Sequence, residues 1–228
     1  MTTWLDGSEF AVSAVWARLG ASPEWIAQRT DVLVQRLSES LRLTGWQVVG
    51  GGDWEGTEEQ KVAVVAAHVN SGSGQAQLGD GYSFSLFASN AAVHVRLHTQ
   101  AGSDRVGRRL PSHSSMLHVS PTGPGAVSGE QGEAMVEAMV EAWSPLQVDL
   151  SIPDLFKIAR RGGWKIPPAN RLWLAAEVGA ADEAAEGVAV SRLGDGTLFS
   201  APDDWDAQRV VDAMAETRER NGLDVLPH

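Results

Sequence analysis

Asp53 and the run Glu59-Gln60-Lys61 are the residues whose types best match a catalytic site. In metal-dependent nucleases two carboxylates hold a divalent metal, and a lysine lies beside the attacking water. The segment that begins at Thr57, however, has the pattern of a helix, and residues two apart on a helix do not face each other. A helix start with solvent-exposed acids is therefore the favoured interpretation. A metal-dependent nuclease or hydrolase that uses Asp53, Glu59 and Lys61 is kept as the alternative function.

The histidines form a second candidate site. His94, Arg96 and His98 alternate with apolar residues, which places them on one face of a strand, and His118 is expected on the same face of a neighbouring strand. Imidazole nitrogens bind transition metals. No carboxylate accompanies these histidines in sequence, so a polar stripe that faces solvent is favoured over a metal site.

Other catalytic motifs are missing from the sequence. It contains no G-x-S-x-G, Gly50-Gly51-Gly52 is not followed by Lys-Ser/Thr, and no G-x-G-x-x-G separates a strand from a helix. The basic loop around Arg105, Arg108 and Arg109 is short and lacks aromatic residues, so it is predicted to pair with nearby carboxylates. We therefore expect no catalytic residues, no metal and no cofactor, and a protein that is not an enzyme.

Composition limits the class of protein further. The chain has 228 residues, 43% of them hydrophobic, and no cysteine, which excludes disulfides and cysteine-ligated zinc. No run approaches the roughly 18 consecutive apolar residues of a membrane-spanning helix. The first residues lack the basic and apolar segments of a signal peptide. We expect a cytoplasmic protein with no membrane partner.

Charge indicates the kind of partner. The net charge is −11, and residues 126–228 carry eighteen acids and nine bases. An acidic surface repels nucleic-acid phosphates and steers basic proteins towards itself. The sequence therefore predicts a protein partner and no nucleic-acid partner, although solubility alone also explains an acidic surface.

Two groups of acids are the candidate partner-binding residues. One precedes and begins the second helix, and the other flanks the last strand pair, where Trp205 is expected to be an exposed apolar contact. Ordinary loop solvation and helix capping explain the second group equally well. The candidates are Asp53, Glu55, Glu58, Glu59, Asp182, Glu183, Glu186, Asp203, Asp204, Trp205 and Asp206.

Periodicity predicts the elements that position these residues. Ser22 is a good N-cap and Pro23 suits the first helical position, so an amphipathic helix is expected to run to about Arg42. Further helices are predicted to begin at Thr57, Glu130 and Asp154, and after Asp203 or Asp204. Strands are predicted at 10–16, 46–49, 82–86, 93–97, 114–119, 148–152, 172–178, 188–193 and 197–200.

The order of these elements indicates the fold class. Runs of adjacent strands favour an α+β fold with an antiparallel or mixed sheet packed against several amphipathic helices, and disfavour a doubly wound parallel fold. A single domain of residues 1–228 is expected. A division into two sub-lobes, at about 1–121 and 130–228, is the alternative.

Residues 15–46 carry a family resemblance. They contain an aromatic strand end with an arginine, a Ser-x-Glu helix start, an Ala and an Arg one turn later, and a closing Trp. The residues are Trp16, Arg18, Ser22, Glu24, Ala27, Arg29 and Trp46, followed later by Ala142–Pro145, Gly162–Trp164 and Leu193–Gly196. This pattern resembles the polymorphic-toxin immunity protein 52 family, although Lys165–Asn170 adds two prolines where that family would begin its next strand sooner.

The resemblance implies a cytoplasmic immunity protein that binds a cognate toxin. The toxin is expected to be a nuclease, neutralised when an acidic surface covers its basic one. The tryptophans have a structural role independent of the resemblance, because Trp is usually mostly buried and the sequence offers them no chemistry. We expect Trp16, Trp25 and Trp46 to hold the first helix against the sheet.

Overall fold

The computed structural model describes residues 6–70 and 78–228. The strands are β1 (Phe10–Val15), β2 (Gln47–Val48), β3 (Tyr82–Ser89), β4 (Val93–Ala101), β5 (Ser114–Pro121), β6 (Gln147–Ser151), β7 (Arg171–Ala175), β8 (Ala189–Leu193) and β9 (Gly196–Ser200). The helices are α1 (Pro23–Leu41), α2 (Glu58–Ala67), α3 (Gly129–Trp143), α4 (Pro153–Ile158) and α5 (Ala207–Arg220). The predicted α+β class is confirmed.

The nine strands of the described residues form one sheet in the order β2-β3-β4-β5-β1-β6-β7-β9-β8. Every neighbouring pair is antiparallel. The first strand of the chain lies in the middle, between β5 and β6, so the sheet continues across the division between the two predicted sub-lobes.

Helix α1 begins and ends as its sequence predicts. The Ser22 hydroxyl accepts from the backbone N–H of Trp25 at 3.4 Å, and Pro23 occupies the first turn. Ile26, Leu33 and Leu37, on one side of the helix, are buried. The chain leaves the helix at Arg42, whose φ of 55° is left-handed.

Stacked tryptophans join α1, α3 and the end of β1. Trp16 and Trp143 stack with ring centroids 4.6 Å apart and planes 6° apart. Trp25 lies against Trp143, with ring centroids 5.9 Å apart and planes tilted by 56°. Trp46 is buried, and its indole N–H donates to Ser38 Oγ at 2.9 Å. The predicted packing role of these tryptophans is confirmed.

The two faces of the sheet differ. Val12, Leu97 and Leu117 are buried on the first face, where α1 and α3 pack together and α3 contacts β1 and β6. On the second face, exposed Arg96 and His118 lie opposite each other on β4 and β5. At β6 and β7 every residue is buried; Pro153 and Phe156 of α4 lie across a cleft from β6 on the second face, and α4 packs against α5.

Candidate functional site

The start of α2 holds the residues of the predicted alternative nuclease site. Thr57 and Gln60 form a capping box, and Glu58 and Glu59 lie exposed in the first turn. A hydrogen bond from Thr57 holds the pKa of Glu59 below its usual value. The Lys61 ammonium pairs with Asp31 of α1 at 2.5 Å.

This arrangement directs Lys61 towards α1 and away from a shared site with Glu59. Among residues 6–70 and 78–228, no three His, Asp or Glu side chains are placed to hold one metal ion. Asp53 lies in an isolated antiparallel bridge with Gln47 of β2, and Trp54 beside it is buried against Phe84 with ring centroids 5.8 Å apart.

The histidine stripe lies where alternation predicts. His94, Arg96 and His118 are exposed on the second face, and His98 is half-buried. Burial lowers the pKa of His98, and the charges of Arg96 and His118 lower it further. Ser85 Oγ lies 3.0 Å from His98 Nδ1. The neighbours of His98 thus favour its neutral imidazole.

The basic loop pairs partly as predicted. Arg105 reaches Asp104 at 3.1 Å and Asp80 at 3.5 Å, whereas Arg108 and Arg109 are exposed. The Trp164 indole N–H donates to the Gly107 carbonyl at 3.0 Å. The loop is therefore packed against the segment that follows α4.

The acids near the C-terminus lie at both ends of α5, with Asp206 at its N-cap and Asp182 and Glu183 bound to Asn221 at its C-cap. We call Asp182, Glu183, Glu186, Asp204 and Asp206 the acidic ridge; all five are exposed. Asp206 also caps α5, because its Oδ1 accepts from the Arg209 N–H at 2.9 Å.

Hydrogen bonds fix the loop that carries the first three ridge residues. Asn221 Oδ1 accepts from the backbone N–H groups of Asp182 and Glu183, both at 3.1 Å. Thr217 Oγ1 accepts from the Ala185 N–H at 3.0 Å. These bonds hold the backbone of the loop against α5, while its carboxylates stay exposed.

Trp205 corrects one expectation, because it is buried and not exposed. Its ring packs against Gly187, where a Cβ would lie 2.7 Å from Trp205 Cζ2, and the Arg209 guanidinium lies 4.0 Å above the ring centroid. Asp203 differs from the ridge as well, since it pairs with buried Arg171 at 2.5 Å. These two residues support the ridge and present little surface.

The two predicted acidic groups lie at opposite edges of the sheet. Asp53, Glu55, Glu58 and Glu59 adjoin the β2 edge, whereas Glu186, Asp204 and Asp206 of the ridge lie in the segments next to β8 and β9. Eight steps between strands of about 4.8 Å span about 38 Å. A patch of about 800 Å² has a radius of about 16 Å, so one interface of ordinary size does not cover both groups.

The second face also contains a cleft that sequence reasoning missed. It has a volume of about 310 Å³ and lies between β5, β1, β6 and α4, lined among others by Ser13, Met116, His118, Asp149 and Phe156. Asp149 is buried, and burial raises its pKa to about 6. The sequence indicates this site only through the alternation of the polar residues Gln147, Asp149 and Ser151 with apolar ones. It does not indicate the burial of Asp149, because that burial depends on α4, which lies across the cleft from this strand.

Comparisons with known proteins include a distant structural similarity. No family model matches the chain, and no curated protein matches it. A solved structure of a Pseudomonas aeruginosa T6SS protein aligns with a TM-score of 0.48 and 13% sequence identity, covering 91% of this chain and 72% of that chain. None of the helices in the described residues is long and apolar enough to cross a membrane.

Proposed function

We propose that this chain is an immunity protein that binds a cognate polymorphic toxin and neutralises it by covering the toxin's basic active surface. The observation that carries the proposal is the acidic ridge, five exposed carboxylates distributed over the two ends of α5 and the loop fixed to it. The sequence resemblance to the polymorphic-toxin immunity protein 52 family supports the same function. A nuclease toxin is the expected partner, because its substrate track must be basic.

Charge and rigidity both favour such binding. Complementary charges raise association rates above the 10⁵–10⁶ M⁻¹s⁻¹ that is typical of neutral surfaces, by roughly ten- to a thousand-fold. A loop that is already ordered loses little conformational entropy on binding. The ridge therefore suits an inhibitor that must capture a toxin before the toxin reaches its substrate.

The proposal is tested with the toxin domain encoded beside this chain's gene. The ridge variant Asp182→Asn, Glu183→Gln, Glu186→Gln removes three charges and leaves the backbone bonds to Asn221 in place. We expect it to lower the association rate at low salt by about ten-fold or more, with the difference shrinking as salt rises.

A matched variant at the opposite edge controls for net charge. Asp53→Asn, Glu55→Gln, Glu58→Gln removes the same number of charges near β2. We expect it to change the association rate by less than about three-fold. Equal losses in both variants would contradict the placement of the interface, and absence of binding would contradict the function. Mg²⁺- or Mn²⁺-dependent cutting of plasmid DNA that is lost in Glu59→Ala would instead favour the nuclease.

A further inference from the structure

The Asp149 cleft combines a buried carboxyl with apolar walls. Ser13 of β1 lies opposite Asp149 of β6 on the second face, and both line the cleft. Met116 of β5 and Phe156 of α4 form its sides, and each is 37% exposed, so both reach solvent at the mouth. The cleft is thus open above, apolar along its sides and polar at its floor.

The polar groups that bind Asp149 are neutral. Gln147 Nε2 donates to Oδ1 at 2.9 Å, and Ser151 Oγ, 3.1 Å from Oδ2, also lies 3.1 Å from the Pro168 carbonyl. Within the part of the chain that the structure describes, no Lys, Arg or His lies in an ion pair with Asp149. Two neutral donors leave lone pairs on a carboxylate that can accept about four hydrogen bonds.

A buried carboxylate without a counter-charge is unusual. Buried charges in proteins are normally paired or bound to metals, because the loss of hydration is costly. Burial raises the pKa of Asp149 to about 6, so the carboxyl still carries its charge in most molecules at pH 7.5. The floor of the cleft therefore presents a carboxylate whose partners among the described residues are neutral.

We propose that the cleft binds a small organic cation, a primary ammonium or guanidinium group on an aliphatic stem, with the cationic group at Asp149 and the stem between Met116 and Phe156. The cation supplies the missing charge and the N–H donors. The methylene stem buries its apolar surface against Met116 and Phe156, as the stems of Lys and Arg do on apolar surfaces.

Glu9, one of the two other titratable groups lining the cleft, favours a cation. Glu9 contributes a second carboxylate at the rim, where its Oε1 accepts from Ser120 Oγ at 2.8 Å. His118 is the one imidazole in the lining, and it is exposed and forms no ion pair with Asp149. This inference stands independently of the immunity function, because the cleft and the acidic ridge share no residue.

The test is an NMR titration of the folded protein at pH 7.5. n-Butylamine, which is protonated at this pH, and n-butylguanidine are the cationic probes, and n-butanol is the neutral control. We follow the Asp149 carboxyl carbon and the amide signals of Ser13 and Ser151. A charge-assisted hydrogen bond predicts that n-butanol binds about ten-fold more weakly than the cations.

Two variants and a control locate the site. Asp149→Asn is expected to weaken butylammonium binding about ten-fold or more, and Phe156→Ala about three-fold, whereas Asp154→Asn, an exposed carboxylate on α4, changes nothing. Phe156 is partly exposed, so its variant tests the apolar side of the cleft independently of Asp149. Equal binding of butanol and butylammonium, or unchanged binding in Asp149→Asn, would overturn the inference.

A third probe separates the two sources of such a cation. Nα-acetyl-lysine methylamide carries the same ammonium on a peptide backbone. Binding of this probe together with butylammonium supports a Lys or Arg side chain from a protein. Binding of butylammonium alone supports a free small molecule. Binding of neither probe would refute the proposed site.

Discussion

Replacement of Asp149 by Asn is predicted to stabilise the protein at neutral pH. The carboxyl is buried, and its pKa rises from an ordinary 3.8 to about 6 because burial disfavours the charged form. At 1.36 kcal/mol per pKa unit, this difference corresponds to about 3 kcal/mol. Asn keeps the local bonds: its Oδ1 accepts from Gln147, and its Nδ2 donates to Ser151 Oγ, whose proton then goes to the Pro168 carbonyl.

The pH dependence has a definite sign. Between about pH 4 and pH 6 the folded state holds a proton on Asp149 that the unfolded state has released, so the contribution of Asp149 to stability is greatest below pH 4 and falls as the pH rises through 6. Asn does not titrate. The stability of Asp149→Asn relative to the parent protein should therefore increase by about 2.4 kcal/mol from pH 4 to pH 7.

Urea unfolding of the parent protein and the variant at pH 4, 5, 6 and 7 measures this difference. Glu24, Glu59 and Asp224, whose pKa values are lowered, give the opposite trend, but they are present in both proteins and cancel. Asp154→Asn removes an exposed carboxylate of α4 and should shift stability by less than about 0.5 kcal/mol at every pH. A difference for Asp149→Asn that stays flat or decreases from pH 4 to pH 7 would refute the reasoning.

Two further predictions concern groups that support the acidic ridge. Arg171 is buried, with its guanidinium paired to Glu133 and Asp203, so Arg171→Met should lower the free energy of unfolding by about 2 kcal/mol or more. Arg36→Met, at an exposed ion pair, should lower it by less than about 1 kcal/mol. Urea unfolding compares the two variants, and equal losses would contradict the role assigned to Arg171. Gly187→Ala places a Cβ 2.7 Å from Trp205, whereas Gly194→Ala, also at positive φ, meets nothing within 4 Å. The first should cost about 1–3 kcal/mol more than the second and shift the tryptophan fluorescence, and similar costs would show that the contact is unimportant.

The sequence predicts most helices and strands correctly, because helix caps and the alternation of a strand depend on residues only a few positions apart. Capping at Ser22 and Thr57 and alternation around His94 are properties of neighbouring side chains. These signals therefore placed α1, α2 and the face of β4 from sequence alone.

Long-range packing accounts for what the sequence did not predict. Trp205 stands among acids and was expected to be exposed, but Gly187 and Arg209 cover its ring. Asp149 is buried because α4 folds back over its strand. The separation of the two acidic groups depends on the strand order, which no local pattern fixes.

The central position of β1 has a consequence for how the chain folds. Residues 10–15 pair with 114–119 on one side and with 147–151 on the other, so the strand precedes both of its partners by about a hundred residues or more. Sheets that depend on such distant pairings fold slowly, because the loop must close before the contacts form. During synthesis, the apolar β1 must wait for most of the chain to emerge, and this interval is when aggregation or chaperone binding competes with folding.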